Sequence, residues 1–275
     1  MMGERMEIIC VGNELLIGKT LDTNATWMAK RATSLGIDVT RITIVKDDVK
    51  EIAKATIEAL RRKPGFMVTT GGLGPTFDDK TLEGIATALR RKLEVNDKAL
   101  EMVRRKYEAY VKEAKIEKVD LTPPRIKMAT LPEKSEPLHN PVGTAPGVLI
   151  DARETVLIAL PGVPSEMRAI FEESVVPMLK KKAGDVTFLE TSVFADSILE
   201  STLAPLIDQV MHDNPHVYIK SHPKSEEHRP HIELHFSTTA KEPGTAKNHL
   251  ENAVIALSGL VEKSGGTVRI QKRKQ

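Results

Sequence analysis

FMVTTGGLGPTFDD, residues 66–79, opens as an apolar strand and closes as a glycine-rich turn ending in two acids. A short apolar run stopped by glycine reads as a buried strand of a parallel sheet. A helical pattern over 80–91 follows the turn. In open parallel sheets ligands bind beyond the carboxyl ends of the strands. The turn Thr69–Asp79 is therefore the first place to look for chemistry.

The same rhythm extends on both sides. Residues 6–11 (MEIICV) read as a strand ending at Gly12. Residues 23–35 carry Trp27, Met28, Ala32 and Leu35 on one helical face, with Gly36 as the stop. A strand is expected over 37–45. Asp47 or Asp48 then caps a helix over 49–62, which Pro64-Gly65 ends. This β-α alternation predicts an α/β fold, a parallel or mixed sheet with helices on both faces. A longer amphipathic helix is expected over 96–114, and the proline-broken stretch 122–146 is expected to wrap the surface. Strands over 147–150 and 155–160 follow. Pro161-Gly162 turns the chain, Pro164 suits a first helical position, and the helix runs to Lys181.

The rhythm changes after the lysine run at 180–182. Strand, helix, strand, strand, helix and strand follow at 186–195, 197–212, 216–221, 231–239, 244–263 and 267–270, a small split α/β sandwich. The expected domains are 1–182 and 185–271. SHPKSEEHRP (221–230) reads as a polar hairpin loop and Lys272-Arg273-Lys274 as a solvated tail. His231 and His235 share a strand face about two strand repeats apart, roughly 13 Å, too far for one metal.

Composition narrows the function. The 275 residues hold 40 Lys+Arg against 38 Asp+Glu, too balanced for a dedicated nucleic-acid binder. The lone Cys10 lies in an apolar run and reads as a buried small hydrophobe. The opening MMGERMEII lacks a signal peptide's apolar core, and no run approaches the ~20 apolar residues of a membrane span. A cytoplasmic protein without membrane or nucleic-acid partners is expected.

Four segments carry the chemistry. In TTGGLGPTFDD (69–79), Gly71, Gly72 and Gly74 are expected to take positive φ and let backbone approach a ligand. Successive N–H groups there would form an anion nest, with Thr70 and Thr76 adding hydroxyl donors. Asp78 and Asp79 exceed what a helix cap needs. Beside a phosphate they would repel it unless a cation lay between. GNELLIGKTLDTN (12–24) supplies Glu14 and Asp22 as metal or base groups, and Asn24 as a contact to a base or ribose. Helix capping by Asp22 or Thr23 is the competing reading. NPVGTAPG (140–147) offers Asn140, Gly143 and Thr144; LPGVPSEM (160–167) offers Gly162 and Glu166.

Together these four segments resemble the N-terminal domain of the CinA family (competence/damage-inducible protein A), part of the wider molybdopterin-binding MoaB/MogA fold. Asn13 stands where many members carry Asp. The resemblance implies a nucleotide pyrophosphatase acting on ADP-ribose or a similar dinucleotide, with a divalent metal such as Mg, Mn or Co. It implies phosphate and metal roles for Gly71, Gly72, Gly74, Asp78 and Asp79. Catalysis is then expected of Asp78, Asp79 and Glu14, and metal binding of Asp78, Asp79 and Asp22. A molybdopterin-binding or adenylylating protein, or a nucleotide-binding module without chemistry, is the alternative. A small-molecule nucleotide ligand and a homo-oligomer, a dimer first, are expected. The nicotinamide-mononucleotide deamidase domain of full-length members is not expected in this chain.

Overall fold

The computed structural model describes residues 4–114, 120–184, 186–226 and 229–270. The chain divides into two compact units, the first built from residues up to Ala183 and the second chiefly from Gly184 onward.

The first unit runs β1 (Arg5–Val11), α1 (Asn13–Leu16), α2 (Thr23–Thr33), β2 (Asp38–Val45), α3 (Val49–Arg61), β3 (Phe66–Thr70) and α4 (Thr81–Leu89). Next come β4 (Leu93–Val95), α5 (Asp97–Ala114), α6 (Pro123–Lys127), β5 (Thr130–Pro132), β6 (Ser135–Leu138), β7 (Gly147–Ala152) and β8 (Thr155–Leu160). A rod closes the unit: α7 (Pro164–Ile170), a π turn over Phe171–Val175, and α8 (Val176–Ala183). The single helix expected after Pro164 is therefore continuous but widened once.

Six strands form a sheet in the order β2-β1-β3-β8-β7-β6. The first four are parallel, whereas β7 and β6 pair antiparallel. The sheet is mixed because two-residue reversals such as Arg153-Glu154 can join only antiparallel neighbours. The stretch expected to wrap the surface is instead structured. It holds α6, β5 and β6, and buries Met128, Ala129, Leu131 and Leu138. Pro123 and Pro124 sit at the start of α6 and Pro132 and Pro137 on short edge strands, where a missing N–H is tolerated, while Pro141 and Pro146 lie in the turn before β7.

Strand alternation sorts the core. Ile9, Val11, Met67, Leu157 and Ala159 join Ile52, Ala55, Ala59, Ile85, Ala99 and Val103 in one apolar cluster, so α3, α4 and α5 cover that face. Ile8, Cys10, Phe66 and Val68 point the other way and are equally buried. On that side Trp27 of α2 meets Phe171 edge-on at 5.4 Å. A Cβ at Gly84 would lie 2.5 Å from Ile52, which is why α4 can press against α3 only with glycine there. Asp48, not Asp47, caps α3 by accepting from the N–H groups of Lys50 and Glu51. Burial, with Asp22 alongside, pushes the Cys10 thiol above its ordinary range, in keeping with an inert core cysteine.

In the second unit, β9 (Thr187–Asp196), α9 (Glu200–Asp213), β10 (Val217–Glu226), β11 (Arg229–Ala240), α10 (Pro243–Lys263) and β12 (Thr267–Ile270) build an antiparallel sheet ordered β10-β11-β9-β12. SHPKSEEHRP is not mainly loop. Ser221–Glu226 pairs with β11 down to Glu226 against Arg229, and residues 227–228 lie outside the described residues, as does the basic end 272–274. Pro223 does not break the strand, because β10 is an edge strand where proline is allowed. His231 bonds Asp196 at 2.6 Å and His235 bonds Glu190 at 3.2 Å, each with its own carboxylate.

One buried ion pair ties β1 to the end of α3. Glu7, only 3% exposed, accepts from Arg62 Nε at 2.7 Å and Nη2 at 2.6 Å. Replacing Arg62 by methionine strands that carboxylate. We expect a loss on the order of 2–3 kcal/mol, below the full cost for a buried pair because Arg62 itself is partly exposed. Urea unfolding should show it. An unchanged midpoint would mean that Glu7 finds another partner.

Candidate functional site

β1, β2, β3 and β8 run parallel, so their carboxyl ends share one rim. Gly12 N–H donates to the Val45 carbonyl (3.1 Å), which sets the β1 and β2 exits side by side. Gly71 N–H donates to the Leu160 carbonyl (3.0 Å), which does the same for β3 and β8. Several residues expected to meet a ligand instead fasten these exits together. Asn24 Nδ2 donates to Thr70 Oγ1 (3.2 Å) and to the Gly162 carbonyl (2.8 Å). Thr70 Oγ1 donates in turn to the Pro161 carbonyl (2.9 Å), so it has no proton left for a phosphate. Gly162 packs on the β3 turn: a Cβ there would lie 3.2 Å from Gly71 Cα.

A second lock joins the other two segments. Asn140 Oδ1 accepts from Val142 N–H (3.1 Å) and Gly143 N–H (2.8 Å), while its Nδ2 donates to Glu166 Oε2 (2.7 Å) and the Ala145 carbonyl (2.8 Å). Gly143 is needed for that lock, because a Cβ would sit 2.0 Å from the Glu166 carboxyl group. Glu166 therefore holds the 140–147 turn as well as facing the cavity, and Thr144 beside it lines the cavity too.

The glycine turn divides into two parts. Gly71 (φ 100) and Gly72 (φ 67) occupy the left-handed region. A Cβ on Gly71 would come 2.2 Å from the Val11 carbonyl oxygen, and one on Gly72 2.3 Å from Thr81 Oγ1. Both are required by the protein's own packing. Gly74 is different: its φ lies outside the left-handed region, correcting the expectation, and its Cβ would meet only the Asp79 carboxylate at 2.7 Å. The N–H groups of Gly72, Leu73 and Gly74 have no acceptor among the described residues. They are the open part of the expected nest. Thr76 offers no free donor, since its hydroxyl lies against Asp78 and Asp79 and its N–H bonds Asp79 Oδ2 (2.7 Å).

These parts enclose a cavity of about 550 Å³. Glu14, Asp22, Asp47, Asp78, Asp79 and Glu166 all line it. Asp47 escaped the sequence reading as a mere alternative cap. Its place directly beyond β2 was the signal. Its Oδ2 accepts from Asn13 N–H (2.7 Å). Burial pushes the Asp47 carboxyl up, the Asn13 bond opposes this, and the nearby charges of Glu14, Asp78 and Asp79 push it further. Asp78 goes the other way, held low by the Thr76 hydroxyl, its own backbone amide and Lys127. Asp22 Oδ1 accepts from Ala25 N–H (2.9 Å) as a cap of α2. Its Oδ2 is buried with no N–H or O–H donor among the described residues. No three acidic, histidine or cysteine side chains among the described residues are placed to grip an ion by themselves.

Part of the lining is less polar. Tyr107 and Met128 reach the cavity from α5 and the end of α6. The Arg125 guanidinium lies 3.9 Å from the Tyr107 ring centre and fixes it. Neither residue belongs to a motif, so local pattern could not reveal them.

Known proteins resemble this one along most of its length. Residues 7–181 match the family described as a probable molybdopterin binding domain. A protein of Aeropyrum pernix is 43% identical over 265 residues, covering 96% of each chain. One from Pyrobaculum aerophilum is 45% identical over 242 residues, covering 87% of this chain and 88% of its own. Among solved structures, the protein CinA from Thermoplasma acidophilum, described as of unknown function, is 40% identical with a TM-score of 0.58. It covers 64% of this chain and 99% of its own.

The three glycines should separate on substitution. Gly71→Ala and Gly72→Ala combine positive φ with a clash against fixed atoms, and each should cost about 2 kcal/mol or more. Gly74→Ala should cost less than about 1 kcal/mol, because only the end of a flexible Asp79 must move. Urea midpoints measure this. Equal losses at all three positions would show that Gly74 is as constrained as its neighbours.

Proposed function

The chain belongs to the molybdopterin-binding domain family, and we propose that its first unit binds a phosphate-bearing pterin or nucleotide in the cavity around Thr70–Asp79. One observation carries this reading: three open backbone N–H groups at Gly72–Gly74 share a cavity with six carboxylates. N–H groups alone would suit a bare anion. The carboxylates would repel one. The combination suits a phosphate together with a cation.

A divalent ion fits the donor set in a particular way. Mg²⁺ usually takes one or two carboxylates and completes its shell with phosphate oxygens and water. That matches acids which crowd one cavity without forming a cage of three. Asp78, held ionised by Thr76 and Lys127, and Asp79 beside it would hold the ion, with Glu14 and Asp47 across the cavity. When bound, the ion supplies positive charge that lets phosphate lie among these acids. Leu73 and Gly74 N–H groups orient the phosphate. Tyr107 and Met128 give the flat ring system an apolar wall. Ile17, Leu21 and Phe77, exposed to 75%, 83% and 87%, crowd the same end and favour a homo-oligomer, a dimer first, that covers it.

Hydrolysis of a dinucleotide diphosphate such as ADP-ribose is the second reading. The number of acids favours it, since holding one pterin phosphate requires fewer. In that reaction Asp47 or Glu14 would accept a proton from the attacking water.

Calorimetry with a phosphorylated pterin, ADP-ribose, ADP and adenosine, each with Mg²⁺ and with EDTA, tests the proposal. We expect the phosphate-bearing compounds to bind with Mg²⁺ and adenosine to bind at least tenfold more weakly. Asp78→Asn or Asp79→Asn should remove most of the Mg²⁺ dependence while leaving the unfolding midpoint nearly unchanged, because these side chains lie outside the core. Binding that is equal in EDTA, or no binding by any phosphate compound, overturns it. Chromatography of the ADP-ribose mixture decides the second reading: AMP and ribose 5-phosphate support it, and intact ADP-ribose rejects it.

A further inference from the structure

A second, larger cavity lies at the opposite end of the same sheet. It measures about 750 Å³ and opens where α3 and α4 end and the β7–β8 hairpin turns. Five cations line it: Arg61, Lys63, Arg90, Arg91 and Arg153. The one acid in its lining is Glu154, which pairs with Lys63 at 3.0 Å while both side chains stay 66% exposed. Such an exposed pair is easily exchanged for another partner.

Helix ends explain some of this charge. The carboxyl end of a helix carries about half a negative charge and favours cations nearby. That covers Arg61 and Arg90. It does not cover Arg153, which sits in a β-hairpin. With two helix ends and Glu154 counted, about three positive charges remain in excess.

The backbone supplies an independent observation. Lys63 (φ 52), Arg90 (φ 55) and Arg153 (φ 68) all lie in the left-handed region. Glycine or asparagine suits such positions best. The sequence places a long cation at each, against local preference, and all three line one cavity. Residues held in unfavoured backbone regions cluster at ligand sites. Arg91 is already seated there, donating to the Asp151 carbonyl (2.5 Å) and the Glu133 carbonyl (3.3 Å). Ile57, Leu60 and Leu89 form an apolar floor.

We propose that this cavity is a second ligand site, for a small polyanion of the di- or triphosphate class, separate from the acidic cavity and independent of divalent metal. Lys63, Arg90 and Arg153 would surround the phosphates, with Lys63 released from Glu154. A metal-free anion is favoured here for the same reason that it is disfavoured at the acidic rim.

The test uses inorganic tripolyphosphate in EDTA, where the carboxylate-lined cavity offers an anion no cation. Calorimetry on the full chain should show saturable binding that weakens steeply with added salt. The Arg90→Asn/Arg153→Asn double variant should bind at least tenfold more weakly. Its melting temperature should be unchanged or higher, because asparagine suits left-handed backbone better than arginine. That separates lost binding from lost folding. Non-saturable uptake by the native chain, or binding by the double variant within threefold of the native chain, would overturn the proposal.

Discussion

Asn24 Nδ2 reaches across the carboxyl ends of the strands to Thr70 Oγ1 and the Gly162 carbonyl, and the candidate site depends on that reach. β3 is buried along its whole length, so its exit is polar backbone inside an apolar core. Each unsatisfied group there would cost about 1–3 kcal/mol. Asn24, Thr70 and Pro161 satisfy the exit with a chain of hydrogen bonds that exists in one arrangement only. That chain fixes where the glycine turn begins. The turn then fixes Asp78 and Asp79, and Asn140 with Glu166 fixes the 140–147 turn that also lines the cavity. The residues that shape the cavity are thus largely distinct from those left open toward a ligand.

This division marks the limit of sequence reading. Motif position located the rim, and every segment singled out there lines or braces one cavity. Motif chemistry assigned roles less well. Asn24 and Thr70 look like ligand contacts in sequence because they are polar and lie beside a glycine turn; in the fold their donors are used internally. Gly71 and Gly72 look like phosphate-approach glycines, yet their missing Cβ atoms make room for Val11 and Thr81. Polar or glycine identity alone does not say which neighbour a residue serves. Asp47, Tyr107 and Met128 were missed for the converse reason: they come to the cavity through strand order and helix packing, which no local window contains.

The fold itself was more legible where periodicity was strong. The four parallel strands and the alternation of the second unit follow from apolar spacing. The errors fell where proline interrupts a pattern. In 122–146 and in β10, Pro123, Pro124, Pro132, Pro137 and Pro223 sit on edge strands or at a helix start, where no ladder N–H is needed. Proline argues against a central strand, and both stretches proved structured because neither is central.

The two ends of the main sheet carry opposite charge, and the helix macrodipole explains only part of it. α3 points its amino end at the acidic rim, while α3 and α4 end beside the basic cavity, so each side has a sign preference built into the fold. That preference is worth about 0.3–1 kcal/mol per charge and fades within one turn. It can place one acid such as Asp48 at a helix start. It does not account for Asp47, whose carboxyl is raised first by burial and then by the charges of Glu14, Asp78 and Asp79, an arrangement that costs stability wherever the charges are left uncompensated. Nor does it account for arginine at Arg153, away from any helix and in a backbone region that disfavours it. Each end thus holds more charge of one sign than its fold requires. Such an excess at two separate cavities is what the proposed pair of ligands would require: a phosphate with its cation at one end, and a bare polyanion at the other.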